Sequence, residues 1–183
     1  MENDKTGLVM GIDPSLTETG VIFLRNGKVE ASHLIKTKKN GDTPTTELTR
    51  LQEIVLEIVF LLDKYKPKVV VIEGIAFMAR NTTSLAQLCG LNYMIRDICF
   101  RNYVTYIVTP TGLKKFITGK GNCKKELILL EIYKRYKISF NNNNSADGFS
   151  LAKIGEAILN PEIKLTVPQK EVIEVIKKQY EDN

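Results

Sequence analysis

Tryptophan is absent from the 183 residues, histidine occurs once, as His33, and cysteine three times, as Cys89, Cys99 and Cys123. A single histidine removes histidine-dependent acid–base chemistry and histidine-rich metal sites from consideration. His33 sits in an expected strand and is read as structural. Three cysteines, odd in number and with no Cys-x-x-Cys pair, do not build a disulfide framework or a zinc site, and reduced core thiols are expected. No apolar run reaches the roughly eighteen residues of a membrane span, and the opening Met-Glu-Asn-Asp-Lys-Thr has neither the basic start nor the apolar stretch of a signal peptide. A soluble, cytoplasmic protein is the expectation. Prolines number six and form no Pro/Gly/Ser linker, so the 43% hydrophobic content is read as one core. The division expected is one domain over residues 1–160 with a helical extension over 161–183. A net charge of +5 suits a polyanionic partner without specifying one.

What the chain does have is acids at strand ends. Leu8-Val9-Met10-Gly11-Ile12 runs directly into Asp13, and Val69-Val70-Val71-Ile72 into Glu73. Strands this apolar are buried on both faces, where an Asp or Glu is rarely found unless paired or bound to metal. Two carboxylates about 4 Å apart repel by roughly 4 kcal/mol at an effective dielectric of 20, and a divalent cation reverses the sign. A metal site is the leading reading. A competent two-metal site needs a third acid, and Asp147 is the best candidate, near the start of a helix through Leu151, Ile154 and Ile158, with Asn144 one turn earlier on the same face. Taken alone, Asp147 is better explained as a partner of the helix dipole, and Asp13 equally well as the cap of its own turn.

The rest of the chain reads as three hairpin-connected strands (8–13, 20–25 and 29–36, with Asn26-Gly27 as a turn), a helix over 45–65, the strand ending at Glu73, a helix over 81–101, a strand over 103–108, and a short helix from Pro110 to about Thr118. Further helices follow over 122–136, from the Asn141–Asn144 run onward, and over 168–180. This order predicts an α/β three-layer fold around a five-stranded mixed sheet whose first three strands are antiparallel. Between Thr118 and Glu126 a glycine turn carries Lys120, Lys124 and Lys125, cations that oppose the dipole at a helix start and so point to a bound anion. The spacing is not that of a P-loop. Lys114 and Lys115 extend the basic surface. After Glu73, the segment Phe77-Met78-Ala79-Arg80-Asn81 sets large apolar residues beside a cation, an arrangement able to wedge between bases.

Together these motifs resemble the RuvC family of Holliday junction resolvases, within the RNase H-like superfamily. The likeness rests on Gly11-Ile12-Asp13-Pro14, Ile72-Glu73, Phe77-Met78-Ala79-Arg80-Asn81 with Ser84 and Gln87 downstream, Gly119-x-Gly121 with its lysines, and Ala146-Asp147, all in the family's order across residues 7–159. The resemblance implies a homodimeric endonuclease acting on four-way DNA junctions with two Mg²⁺ or Mn²⁺ ions per site. It implies Asp13, Glu73 and Asp147 as metal ligands, with Asn144 where the family usually has Asp. Lys125 is the implied catalytic lysine, Lys114, Lys120 and Lys124 contact phosphates, and Phe77 and Arg80 contact DNA. The departures are Asn144 itself, one extra residue between Glu73 and Phe77, Gly148-Phe149-Ser150 in place of an Ala-rich helix, and the added tail; they suit a divergent, phage-type member. Two other readings compete: a junction-binding protein without cleavage, which Asn144 favours, and an ATP-using enzyme on the same core, which the lack of a second glycine-rich turn disfavours. The dimer helix is expected over 83–100, on Leu85, Leu88, Leu91, Met94, Ile95 and Ile98.

Overall fold

A computed structural model describes residues 7–75 and 82–180. Five strands, β1 (Val9–Asp13), β2 (Glu18–Arg25), β3 (Lys28–Lys36), β4 (Val69–Glu73) and β5 (Val104–Val108), form one sheet in the order β3-β2-β1-β4-β5. β1, β2 and β3 are mutually antiparallel, while β4 and β5 run parallel to β1, the expected mixed sheet. The β2–β3 hairpin turns through Asn26 and Gly27, both at positive φ, as an Asn-Gly turn demands.

Period-two alternation sorts the strands between two cores. Met10, Ile12, Val21, Phe23, Val70 and Ile72 meet helices α1 (Pro44–Tyr65) and α2 (Thr82–Asn102). Val9, Ile22, Leu24, Val69 and Val71 meet the opposite layer, built from α3 (Pro110–Thr118), α4 (Lys125–Tyr136), α5 (Asn143–Leu159) and α6 (Val167–Lys178). Asp13 and Glu73 belong by parity to this second face, one step beyond its apolar residues. The carboxylates therefore emerge beside α5.

Helix α5 lies almost flat on the strands. A Cβ on Gly11 would stand 2.1 Å from the Gly148 carbonyl oxygen, and one on Gly20 would stand 2.2 Å from that of Asn144. Gly20 is also the register partner of Asp13. The glycines thus set the short gap across which the α5 side chains reach the end of β1. Asn142 caps α5, accepting a hydrogen bond from the Ser145 N–H.

His33 packs its ring against Phe23 and Tyr65, with its Nε2 3.2 Å from the Tyr65 hydroxyl. All three cysteines are free, and burial pushes the Cys99 thiol up to about 12. Both results agree with structural roles. Helix α6 buries Val172, Ile173 and Ile176 against the second core, and the Tyr180 hydroxyl accepts from the Ile107 N–H of edge strand β5. No helix among the described residues is long and apolar enough to cross a membrane.

Candidate active site

Three acids from three separate elements come together at one end of the sheet: Asp13 closing β1, Glu73 closing β4, and Asp147 in the second turn of α5. Asp13 and Asp147 are only 6% and 7% exposed, and Glu73 is half-buried. All three titrate above the ordinary carboxylate range. Burial is the main cause for Asp13, reinforced by the charges of Glu73 and Asp147 and by a hydrogen bond to the Glu73 carboxyl. Burial likewise raises Glu73 and Asp147, opposed in both by the lysine charges of Lys125 and Lys114. A hydrogen bond between two carboxyl groups requires a proton on one of them. Contact with Glu73 raises the Asp13 carboxyl further and lowers that of Glu73, so of the two Asp13 is the one that holds a proton more readily than it would in water.

Position excludes the simpler explanations of these acids. Asp147 lies beyond the first turn of α5, which contains no acidic residue, so the helix dipole does not account for it. Nor does Asp13 serve the following turn: the Ser15 N–H donates to Thr19 Oγ1, and that hydroxyl donates back to the Ser15 carbonyl.

The lysines divide. Lys125, the first residue of α4, acts on all three acids, and half-buried Lys114 on α3 acts on Glu73 and Asp147. Lys120 and Lys124 are exposed on the approach to the site. Lys124 is the N-cap of α4 and makes no side-chain cap bond. Lys115 does not extend the basic surface as expected, because its ammonium pairs with Glu171 of α6 at 2.5 Å. Asn144 shares the site's rim, and its Nδ2 donates to the Glu18 carbonyl at 2.7 Å, leaving only Oδ1 to turn toward a cation. Phe77 and Arg80 lie outside the described residues.

The donor set suits a hard divalent cation. It is all oxygen, and burial raises all three carboxyls despite the nearby lysines, a cost that a bound cation would offset. Among the described residues no three His, Cys, Asp or Glu side chains converge on a single ion. Mg²⁺ has no need of such a cage, since it keeps several waters and takes one or two carboxylates together with substrate phosphate.

A profile of the crossover junction endodeoxyribonuclease RuvC family matches residues 9–153, a span that contains all three acids and both lysines. The chain belongs to the RuvC family. It is 30% identical over 118 residues to the RuvC of Corynebacterium diphtheriae, covering 64% of this chain and 72% of that one. To the Prochlorococcus marinus protein it is 27% identical over 156 residues, covering 81% and 97%. In three dimensions it is similar to Thermus thermophilus RuvC in complex with Holliday junction substrate, with a TM-score of 0.66, 21% identity, and 80% and 90% of the two chains covered. The yeast mitochondrial Holliday junction resolvase gives 0.56 at 17% identity, with 95% and 85% covered. These likenesses bear out the expected fold, a five-stranded mixed sheet flanked by helices, and RuvC-family resolvases are divalent-metal nucleases.

Three contributors to this site were missed in the sequence. Gly11 was read only as part of the Gly11-Ile12-Asp13-Pro14 motif and Gly20 only as the start of a strand, although a glycine inside a strand is itself a signal of close backbone approach. Asn92, buried in α2, donates from Nδ2 to the Glu73 carbonyl at 2.9 Å. A polar residue on the core stripe of a helix was its only trace.

Proposed function

We propose that this chain is a structure-specific DNA endonuclease that resolves four-way junctions, acting as a homodimer and leaving 5′-phosphate and 3′-hydroxyl ends. One observation carries the reading: Asp13, Glu73 and Asp147 reach the same end of the sheet from β1, β4 and α5, two of them buried and Glu73 half-buried, all three within the field of Lys125.

Asp13, Glu73 and Asp147, with Asn144 Oδ1, are the residues to hold two Mg²⁺ or Mn²⁺ ions. Such ions supply Lewis acidity and lower the pKa of the attacking water. The chain's own part is to fix the oxygen donors on rigid strand ends, exclude bulk water from Asp13 and Asp147, and bring Lys125 and Lys114 beside the phosphate as its charge grows. Lys120 and Lys124 steer the backbone of branched DNA toward that point, and Phe77 and Arg80 are assigned to the junction bases and strand. We place the enzyme in the cytoplasm, with its DNA.

The dimer is assigned to α2, with one revision. Leu91 and Ile95 are buried in the chain's own core, with Met94 and Ile98 packed against it, whereas Tyr93 and Phe100 are the large exposed rings, 63% and 47% exposed, with the Arg96 guanidinium over Tyr93. A two-fold pairing of that face would suit two like strands of a junction.

The deciding experiment incubates labelled four-way junction, flap and linear duplex with Mg²⁺ and with Mn²⁺, using Asp13→Asn as the control. Symmetric cuts in the junction, absent from the control, are expected. Binding of the junction without cleavage in either ion would instead favour the non-cleaving reading that Asn144 raises.

A further inference from the structure

We propose that Asn92 is a positioning residue for Glu73, supplying from α2 a backbone-type hydrogen bond that Pro14 cannot give. In a parallel ladder, successive residues of a strand turn their N–H and C=O groups toward alternate neighbours. Gly74 donates to the Val108 carbonyl on the β5 side. Glu73 therefore turns its own backbone groups toward β1. The register pairs Ile12 with Ile72, so the β1 residue placed to donate to the Glu73 carbonyl is the one that follows Asp13. That residue is Pro14, which has no N–H.

The carbonyl is met from another layer. Asn92, 2% exposed on α2, points Nδ2 at the Glu73 oxygen at 2.9 Å. This bond fixes the amide's orientation, because turning it over would set Oδ1 against a carbonyl oxygen. It also leaves Oδ1 buried and, among the described residues, without a partner. A core helix that buries an unmatched acceptor in order to place one donor is holding that donor for a purpose, since apolar side chains such as Leu91, Ile95 and Cys99 fill the adjoining positions. The purpose is at the strand end: the held carbonyl belongs to the residue that closes β4 at the same end of the sheet as Asp13 closes β1. The β5 side of the ladder holds β4 as far as Gly74, whereas the register with β1 ends at Ile72, and the Asn92 bond supplies the Glu73 carbonyl with the partner missing on that side.

The inference rests on the assignment of Glu73 as a metal ligand, and its test reads metal binding separately from cleavage. In Asn92→Leu, which keeps the position filled and apolar, the Glu73 carbonyl loses its donor. Mn²⁺ affinity, measured by titrating the melting temperature with Mn²⁺, should weaken about tenfold and junction cleavage should fall at least as far, the size expected for one buried hydrogen bond. Metal-free junction affinity should not change. Pro14→Ala restores an N–H at the ladder position, so the double variant Pro14→Ala/Asn92→Leu should recover part of the lost Mn²⁺ affinity. If Asn92→Leu binds Mn²⁺ like the wild type, the proposal is overturned. It is equally overturned if Asn92→Leu loses its fold and Pro14→Ala restores nothing, which would make Asn92 a packing residue. A wild-type protein that binds Mn²⁺ and cuts no junction would overturn the functional reading while leaving the Mn²⁺ comparison decisive for Asn92.

Discussion

At the scale of single residues, the raised carboxylates link metal binding to stability. A carboxyl group whose folded pKa lies above its unfolded value stabilises the fold fully below the unfolded pKa, and that contribution is lost as pH rises through the folded pKa. Asp13, raised by burial and by its acidic neighbours, is such a group. In EDTA, the melting temperature of the wild type should therefore fall from about pH 4 toward neutrality relative to Asp13→Asn. Added Mn²⁺ should remove most of that difference. A difference between the two proteins that is flat with pH would mean that burial does not raise the Asp13 carboxyl. Asn144 gives a second test with two signs. Its amide donates to the Glu18 carbonyl, so Asn144→Asp sets a carboxylate against that oxygen and should cost about 1 kcal/mol without metal. With metal the same carboxylate becomes a charged ligand, and cleavage should rise more in Mg²⁺ than in Mn²⁺, because Mg²⁺ dehydrates more reluctantly. Equal melting temperatures and unchanged rates would remove Asn144 from the site.

At the scale of elements, α5 and the start of α4 do the placing. Gly20 lies under the Asn144 carbonyl with no space for a methyl group, so Gly20→Ala must lift the first turn of α5 and carry Asp147 with it. The expected result is a loss of about 1 to 3 kcal/mol of stability, the usual cost of overpacking, together with a larger loss of cleavage than Gly27→Ala, where a Cβ meets nothing within 4 Å. Comparable cleavage by the two variants would show that the α5 seat does not govern the site. Lys124 and Lys125 open α4 beside the acids. If they grip phosphates, replacing both with alanine should reduce the salt slope of junction binding by up to about two units, at roughly 0.9 per contact. An unchanged slope would confine Lys125 to the acids. Much of this arrangement was legible in the sequence. Period-two and helical patterns, with Asn26-Gly27 and Pro110 as punctuation, located every strand and helix to within a few residues, and two apolar runs ending in acids pointed to the site. The glycine seat and the Asn92 bond were not legible, because each is a contact between elements far apart in the chain. Lys115 was misread for the same reason: only the fold brings Glu171 to it.

At the scale of the whole molecule, the acids occupy one end of the sheet, while the exposed rings of Tyr93 and Phe100 lie along α2, the helix that also holds Glu73 through Asn92. Core packing is why the proposed pairing face is not the apolar one expected: Leu91 and Ile95 are claimed by α1 and the sheet, and the rings left outside form a patch with Arg96, Asp97 and Arg101. A charge placed in the middle of that patch, as in Tyr93→Glu, would have to be desolvated twice in a two-fold interface while leaving each monomer's core untouched. Paired cutting supplies a readout that single-site chemistry does not. On a supercoiled plasmid with an extruded cruciform, two coordinated cuts within the lifetime of one complex give a linear product, whereas independent cuts first give a nicked circle. The wild type should yield linear product directly. Tyr93→Glu, monomeric by sedimentation, should accumulate nicked circles while still cutting a strand in Mn²⁺, because its acids and lysines are unaltered. If Tyr93→Glu remains a dimer and still linearises the plasmid, the pairing surface lies on another face of the molecule, and the exposed rings of α2 have some other use.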